Sequence, residues 1–139
     1  MLVDQIAVFL ENRKGRIFAL SDLLAKNGVD LIALSIADTN DFGIVRLVTD
    51  NNDRALEVLR RAGFTAATNS LIGIEVEDKP GGLAEVLKIF DDNDIDIEYL
   101  YSFARVEAKK AIILVKVADT DKTLEILLKH NIKLLDRSI

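Results

Sequence analysis

Asp78-Lys79-Pro80-Gly81-Gly82-Leu83 separates an apolar run, residues 71–76, from a helix-periodic run that begins at Leu83. Pro80, the only proline, fixes its own φ and favours an extended residue before it, so a strand must end here and a helix can begin just beyond. Gly81 and Gly82 leave backbone N–H groups at the helix start without side chains in front of them. The segment is therefore a small anion site or a strand-to-helix turn capped by Asp78, and its residues alone favour the capped turn.

Apolar periodicity gives the first half of the chain the order strand, helix, strand, strand, helix, strand. The predicted strands are residues 3–10, 30–38, 43–49 and 64–68. Asn27-Gly28 is a helix stop, Thr39-Asn40-Asp41 is a hairpin turn, and Asp50 or Asn51 can cap the second helix, which stops at Gly63.

The second half repeats this order from Leu71. Its predicted strands are residues 71–77, 95–104, 111–117 and 132–136. The predicted inward faces of its two helices are Leu83, Val86, Leu87 and Phe90, and then Leu124, Leu127 and Leu128. Asp119 or Thr120 can cap the second of these helices.

The two halves align residue by residue. At an offset of 66 residues Gly15 meets Gly81 and Asp30 meets Asp96, and past the hairpin the offset becomes 68, so that Ile44 meets Ile112. Two βαββαβ copies predict an α+β protein of two ferredoxin-like units in tandem, each with an antiparallel sheet and its helices on one face. The predicted domains are residues 1–69 and 70–139.

Several predicted strands are apolar on both faces, although a ferredoxin-like sheet needs only one apolar face when the other meets water. Examples are residues 31–37 and 112–117. Ile97, Tyr99, Tyr101 and Phe103 also share one face of a strand, which is more typical of a core or an interface than of a cofactor platform. We expect the open faces to be covered by the sister repeat, by a second chain, or by both, and we expect a homo-oligomer, namely a homodimer.

Composition excludes several classes of function. The chain has 139 residues and a net charge of −5, so it lacks the basic surface that binding to nucleic acid requires. There is no cysteine, no signal peptide and no apolar segment of transmembrane length, so we expect a cytoplasmic protein without a membrane partner.

The sequence offers few side chains of the types that catalysis requires. His130 is the only histidine and falls in the last turn of a predicted helix, where a cation complements the helix dipole. Asp91, Asp92 and Asp94 belong to a helix end rather than to a facing carboxylate pair. We therefore expect no enzyme activity, no metal and no cofactor.

The repeat, the glycine loop and the segment Asn93-Asp94-Ile95-Asp96-Ile97 together resemble tandem ACT domains over essentially the whole chain. The resemblance implies a regulatory module that binds an amino acid at an interface between ACT units and acts on a metabolic enzyme. It also implies ligand-binding residues in the strand-to-helix loops and at the starts of the second strands of both copies. These are Asp78, Lys79, Pro80, Gly81, Gly82, Leu83, Asp96 and Ile97, and in the first copy Asn12, Arg13, Lys14, Gly15, Arg16, Ile17, Asp30 and Leu31.

The sequence departs from the family in two places. Asp96 and Asp30 stand where the family often has asparagine, which favours a ligand amine. The first loop is more basic than the second, so it is either a degenerate site or the carboxylate-binding half of a composite one. A helix N-terminus contributes about 0.3 to 2 kcal/mol to carboxylate binding, whereas a micromolar to millimolar ligand needs about 4 to 8 kcal/mol. A second wall with its own polar groups is therefore required. The alternative is a constitutive interaction subunit that binds no small molecule.

Overall fold

The computed structural model of this protein describes residues 2–11, 13–38 and 42–135. The order of strands and helices along these residues follows the prediction except at the join between the repeats and after the last helix. They are β1 Leu2–Glu11, α1 Arg16–Lys26, β2 Leu31–Asp38, β3 Phe42–Thr49, α2 Asn52–Arg61, β4 Thr65–Glu77, α3 Gly82–Asp92, β5 Ile97–Arg105, β6 Lys110–Val117 and α4 Thr120–Lys129.

One strand replaces two predicted ones. The separate strands predicted for residues 64–68 and 71–77 are wrong, because β4 runs without a break from Thr65 to Glu77. Thr68, Asn69 and Ser70 include neither glycine nor proline, and nothing in their chemistry ends a strand there.

The chain divides into two compact units, with the boundary between Asn69 and Ser70 inside β4. The first unit is Asp4–Asn69, and the residues before Asp4 belong to the second. In the first unit β3 pairs antiparallel with both β1 and β2. In the second unit β6 pairs antiparallel with both β4 and β5. The predicted α+β fold of ferredoxin-like units is confirmed.

Each unit has its own apolar core on the helix-bearing face of its sheet. In the first unit the core joins residues of β1 and β3 to α1 and α2, including Ile6, Leu20, Leu47 and Leu59. In the second unit it joins β4 and β6 to α3 and α4, including Ile74, Phe90, Val115 and Leu127. Because both helices of a unit contribute to one core, they lie on the same face of the sheet.

The inward face of α4 differs from the prediction at one position. Leu127 is fully buried, but Leu128 is 48% exposed and Thr123 is buried instead. Thr123 lies four residues before Leu127 and therefore on the same side of the helix. Its hydroxyl donates a 2.8 Å hydrogen bond to the Asp119 carbonyl, so its burial leaves no unpaired polar group.

The predicted last strand is reduced to an isolated antiparallel bridge between Ile74 and Leu134. Glu75 N–H donates to the Lys133 carbonyl at 2.9 Å, and Leu135 N–H donates to the Gly73 carbonyl at 2.8 Å. Asp136 and the predicted turn over residues 39–41 lie outside the described residues.

The two faces of the sheets differ in how far the single chain covers them. Ile112 through Val115 in β6 are all buried, so this strand is covered on both faces. Leu34 and Ile36 on the edge strand β2 are 41% and 49% exposed, and the aromatic residues of β5 are half-buried. Across the parts of the chain that the structure describes, none of the helices has the length and apolar character needed to span a bilayer.

Candidate functional site

Helices α1 and α3 begin in the same unusual way. Gly15 and Gly81 are their N-cap residues, with φ and ψ of 90° and −10° at Gly15 and 88° and −10° at Gly81. This left-handed conformation strongly favours glycine, which explains why Gly15 is the position that the first loop keeps. Neither helix has a side-chain cap. The predicted cap at Asp78 is therefore wrong: Asp78 lies three residues before the N-cap and is exposed.

Two amide groups are left free at each of these helix starts. In α3, Gly82 N–H donates to the Lys79 carbonyl and Glu85 N–H donates to the Gly81 carbonyl, each at 3.0 Å. The intervening N–H groups of Leu83 and Ala84 have no acceptor among the described residues. In α1 the same pattern leaves Ile17 and Phe18 without acceptors from the described part of the chain.

The other two helices cap themselves. The Asn51 side chain accepts a 3.1 Å hydrogen bond from Arg54 N–H at the start of α2. The Asp119 carboxylate accepts one of the same length from Lys122 N–H at the start of α4. Both caps were among those predicted from the sequence. The contrast leaves α1 and α3 with amides that have no acceptor among the described residues, and such amides at a helix N-terminus are suited to an anion.

Gly82 is required for a different reason from Gly81. A Cβ atom at Gly82 would collide with the backbone carbonyl oxygen of Glu77, so the end of β4 can approach the start of α3 this closely only with glycine. A Cβ at Gly81 would meet nothing within 4 Å, so its requirement comes from φ alone.

Lys79 in the second loop, Lys110 in β6 and Arg13 in the first loop are paired with carboxylates. Lys79 Nζ lies 3.1 Å from Glu77, Lys110 Nζ lies 4.0 Å from the same carboxylate, and Arg13 Nε lies 3.0 Å from Glu11. The hydrogen bond from Lys79, followed by the charges of Lys79 and Lys110, lowers the pKa of Glu77 below its usual range. At these three side chains an anionic ligand would therefore meet neutralised pairs, whereas Lys14 and Arg16 of the first loop have no ion pair within 4.0 Å among the described residues.

Within the second unit, the two groups of predicted site residues lie far apart. Glu77, next to the loop, pairs with Lys110 at the start of β6, whereas Ile97 pairs with Val117 at its end. These two positions of β6 are seven residues apart in sequence, which corresponds to about 24 Å at the usual rise of a strand. Asp96 and Ile97 therefore do not form a wall of the cavity around Gly81 and Gly82 in the same unit.

The first unit has the same separation. Leu10, next to the first loop, pairs with Gly43, while Leu31 pairs with Thr49 at the far end of β3, about 20 Å away. The backbone N–H of Asp30 donates a 2.9 Å hydrogen bond to the Asp50 carboxylate, and the Asp30 side chain is exposed. Lys14 is exposed in the loop, and Asn12 lies outside the described residues.

Each unit has a cavity beside its uncapped helix. The cavity of the first unit is about 330 Å³, and its walls include Arg13, Arg16, Ile17 and Ile36. The cavity of the second unit is about 340 Å³, and it adjoins Lys79 and Gly82. Both volumes lie at the small end of the range for ligand pockets.

Sequence reasoning missed two features of these cavities. The Arg16 guanidinium lies over the Phe64 ring, 4.9 Å from its centroid, and its buried Nε has no hydrogen-bond partner among the described residues. In the second unit Lys133 Nζ lies 2.7 Å from Glu75, and this hydrogen bond lowers the pKa of Glu75. Alignment of the repeats could have indicated the first feature, because Arg16 corresponds to Gly82 and Phe64 to Ile132.

His130, the candidate for catalysis that the sequence offered, has a structural role. His130 is the C-cap residue of α4, with Nδ1 2.9 Å from the Ile126 carbonyl oxygen. The described residues hold no group of three or more histidine, cysteine or acidic side chains that could bind a metal ion.

Comparisons with known proteins agree with this architecture. The family model for the ACT domain pair matches residues 1–138. The structure is similar to that of protein BT0572 from Bacteroides thetaiotaomicron, which is 35% identical, with 99% of this chain and 94% of that chain covered and a TM-score of 0.91.

The structure also shares its fold with the regulatory subunit of aspartate kinase from Thermus thermophilus, at 14% identity, 91% coverage of each chain and a TM-score of 0.64. A search of curated proteins found no match. The family match over nearly the full length and the 35% identical structure agree with the two βαββαβ units. This chain belongs to the ACT domain pair family.

Proposed function

We propose that this protein is a non-catalytic regulator that binds a free amino acid at an interface between ACT units, and that binding changes its self-association or the activity of a partner metabolic enzyme. One observation carries the proposal: α1 and α3 begin with free amides behind a left-handed glycine, whereas α2 and α4 are capped by their own side chains. A protein of the same fold is the regulatory subunit of an aspartate kinase, which supports a regulatory role.

The proposed ligand carboxylate lies against the amides of Leu83 and Ala84, at the end of the loop that carries the exposed Asp78. The proposed ligand amine is held by an aspartate equivalent to Asp96 or Asp30. Because those aspartates lie at the opposite end of the sheet from the loop in their own unit, the amine must be held by another ACT unit. This arrangement supplies the second wall that the free energy of binding requires.

The first loop, Arg13 to Ile17, contributes the equivalent amides of the other repeat. Its Arg16 side chain lies over Phe64, so we assign the ligand to the second loop first and treat the first loop as the weaker site. The domain ranges that we propose for the two ACT units are 1–69 and 70–139. The change from one compact unit to the other between Asn69 and Ser70 supports this boundary.

The alternative, a constitutive interaction subunit, is favoured by a different observation. Phe18, Phe9 and Ile36 in the first unit are 69%, 52% and 49% exposed. Large apolar side chains at this exposure are typical of surfaces that meet another chain. A homodimer would satisfy both functions, so self-association alone does not separate them.

Amide removal tests the proposed site. Ala84 is exposed and its N–H has no acceptor among the described residues, so Ala84→Pro removes a ligand donor without breaking an internal hydrogen bond. Ala84→Ser keeps the donor and is the matched control. Titration calorimetry is performed with the amino acid that most raises the melting temperature. We expect Ala84→Pro and Asp96→Ala to weaken binding about tenfold or more, and Ala84→Ser to leave it unchanged. Unchanged affinity in Ala84→Pro, Asp78→Ala and Asp96→Ala would remove the ligand from this site.

A further inference from the structure

The two repeats can be aligned closely around the cavity of the second unit. Gly15 and Gly81 have the same backbone conformation, and Gly63 and Asn131 both have positive φ, 89° and 57°. Phe64 N–H donates to the Leu59 carbonyl at 3.0 Å, and Ile132 N–H donates to the Leu127 carbonyl at 3.1 Å. Arg16 and Phe64 in the first unit therefore correspond to Gly82 and Ile132 in the second.

A side chain fills this place in the first unit. The Arg16 guanidinium is stacked on Phe64, so a planar cation occupies the space between the start of α1 and the segment after α2. Its Nε is buried and lacks a hydrogen-bond partner within the described part of the chain. The interaction with the Phe64 ring is the contact that holds the guanidinium there.

The same place is empty of side chain in the second unit. Gly82 has no side chain, and Ile132 stands where the first unit has the phenyl ring of Phe64. The cavity of about 340 Å³ lies at these two residues, and its charged lining consists of three glutamates and three lysines: Glu75, Glu77, Glu85, Lys79, Lys110 and Lys133. A guanidinium group with a short aliphatic stem fits this volume.

The second unit also adds carboxylates around the cavity. Glu75 and Glu85 stand where the first unit has Phe9 and Ala19. Lys133 holds Glu75 at 2.7 Å, whereas Glu85 has no ion pair within 4.0 Å among the residues that the structure describes. Lys79 and Lys110 pair with Glu77, so Glu85 is the one carboxylate of this cavity that has no ion pair among the described residues, although the charge of Lys79 also acts on it. A carboxylate without an ion pair is the group that a cationic ligand would meet.

The geometry points to this cavity as a binding site for a ligand with a guanidinium head group, in the place that Arg16 fills in the first unit. Glu85 is the free carboxylate for the cation, and Val86 and Ile132 contact the aliphatic stem. Leu83 and Ala84 do not line this cavity, so the site stands whether or not an amino-acid carboxylate binds their amides.

Agmatine and its neutral ureido analogue, carbamoylputrescine, test the head group. Both share the amine and the stem, both lack an α-carboxylate, and they differ only in guanidinium against urea. In amide-resolved NMR titrations of the full chain, we expect agmatine to shift Gly82, Glu85 and Ile132, and the ureido analogue to bind at least about tenfold more weakly. Equal binding of the two analogues, or agmatine shifts confined to residues away from these three, would overturn the proposal.

Three variants locate the interaction. Glu85→Gln should weaken agmatine binding several-fold, whereas Glu125→Gln, which removes an exposed carboxylate on α4, should not change it. Ile132→Phe restores the ring that Arg16 stacks on in the first unit, so it should strengthen binding about two- to fivefold. An unchanged affinity in both Glu85→Gln and Ile132→Phe would also contradict the site. Loss of amino-acid binding in Ala84→Pro with agmatine binding intact separates this cavity from the amide site.

Discussion

Gly81 and Gly82 are adjacent, but they are glycine for different physical reasons. Gly81 needs a left-handed φ of 88°, and Gly82 needs the absence of a Cβ atom beside the Glu77 carbonyl. The first repeat keeps the first requirement at Gly15 and loses the second at Arg16. The repeats therefore share the turn and differ in what fills the space next to it.

Alanine substitutions separate the two requirements. Gly81→Ala should lower the free energy of unfolding by about 1 to 2 kcal/mol through backbone strain. Gly82→Ala should cost about 1 to 3 kcal/mol, because the Glu77 carbonyl must move. Gly43→Ala is the matched control, since its Cβ would come no closer than 3.8 Å to another residue. Denaturant unfolding gives the three values, and a neutral Gly82→Ala would show that the contact does not require glycine.

The Glu75–Lys133 pair makes stability depend on pH. The hydrogen bond from Lys133 lowers the pKa of Glu75 in the folded state, so its contribution is complete above the unfolded pKa, about 4.3, and is lost as pH falls through the lowered folded value. Lys133→Met should therefore cost up to about 1 kcal/mol near pH 7 and progressively less below about pH 4. Lys129→Met, which breaks the exposed pair with Glu125, should cost less at pH 7. A Lys133→Met effect that is constant from pH 7 to the acid limit would contradict this linkage.

At the scale of elements, the four helices differ in how their N-termini are capped. Asn51 caps α2 and Asp119 caps α4, whereas no side chain of the described residues caps α1 or α3. A helix that caps itself has no amide to offer at that position. Helices α1 and α3 therefore share the free N-terminal amides that an anion site requires.

The caps have measurable energies. Asp119→Ala and Asn51→Ala should each lower the free energy of unfolding by about 0.5 to 2 kcal/mol, because each leaves a helix amide without its acceptor. Asp78→Ala should cost less than either in the absence of ligand, since Asp78 caps no helix. Comparison of the three variants by chemical denaturation checks the assignment. A cost at Asp78 equal to that at Asp119 would restore Asp78 as a cap.

The sequence predicts the ends of a helix well where a glycine stops it or a polar side chain caps it. Gly28 and Gly63 follow their helices with φ of 72° and 89°, and Asn51 and Asp119 cap where the sequence indicates. The continuous β4 was not predictable in this way, because the repeat placed a boundary where no residue interrupts a strand. The cap of α3 was misassigned because the sequence Asp78-Lys79-Pro80-Gly81 is compatible both with an aspartate cap and with a left-handed glycine at the N-cap, and the structure has the glycine.

At the scale of the whole molecule, the proposed amino-acid site draws its two groups of residues from opposite ends of a sheet. The sequence indicates both halves of the site, but only strand register reveals that they lie at opposite ends of a sheet. The Arg16–Phe64 stack joins residues 48 positions apart, which periodicity does not report. Divergence of the two repeats is therefore visible in the sequence, whereas its consequence for the cavities is visible only in the structure.

The most direct test of the central claim is the melting temperature of the full chain with each of the standard L-amino acids in turn. A ligand that binds only the folded state at 100 times its Kd adds about 2.7 kcal/mol to stability, which raises the melting temperature of a chain of this size by several degrees. We predict such a shift for at least one amino acid, and a smaller shift in Ala84→Pro than in Ala84→Ser. No shift with any amino acid at roughly 10 mM, in a protein that melts cooperatively, would contradict amino-acid binding and leave the interaction subunit as the function.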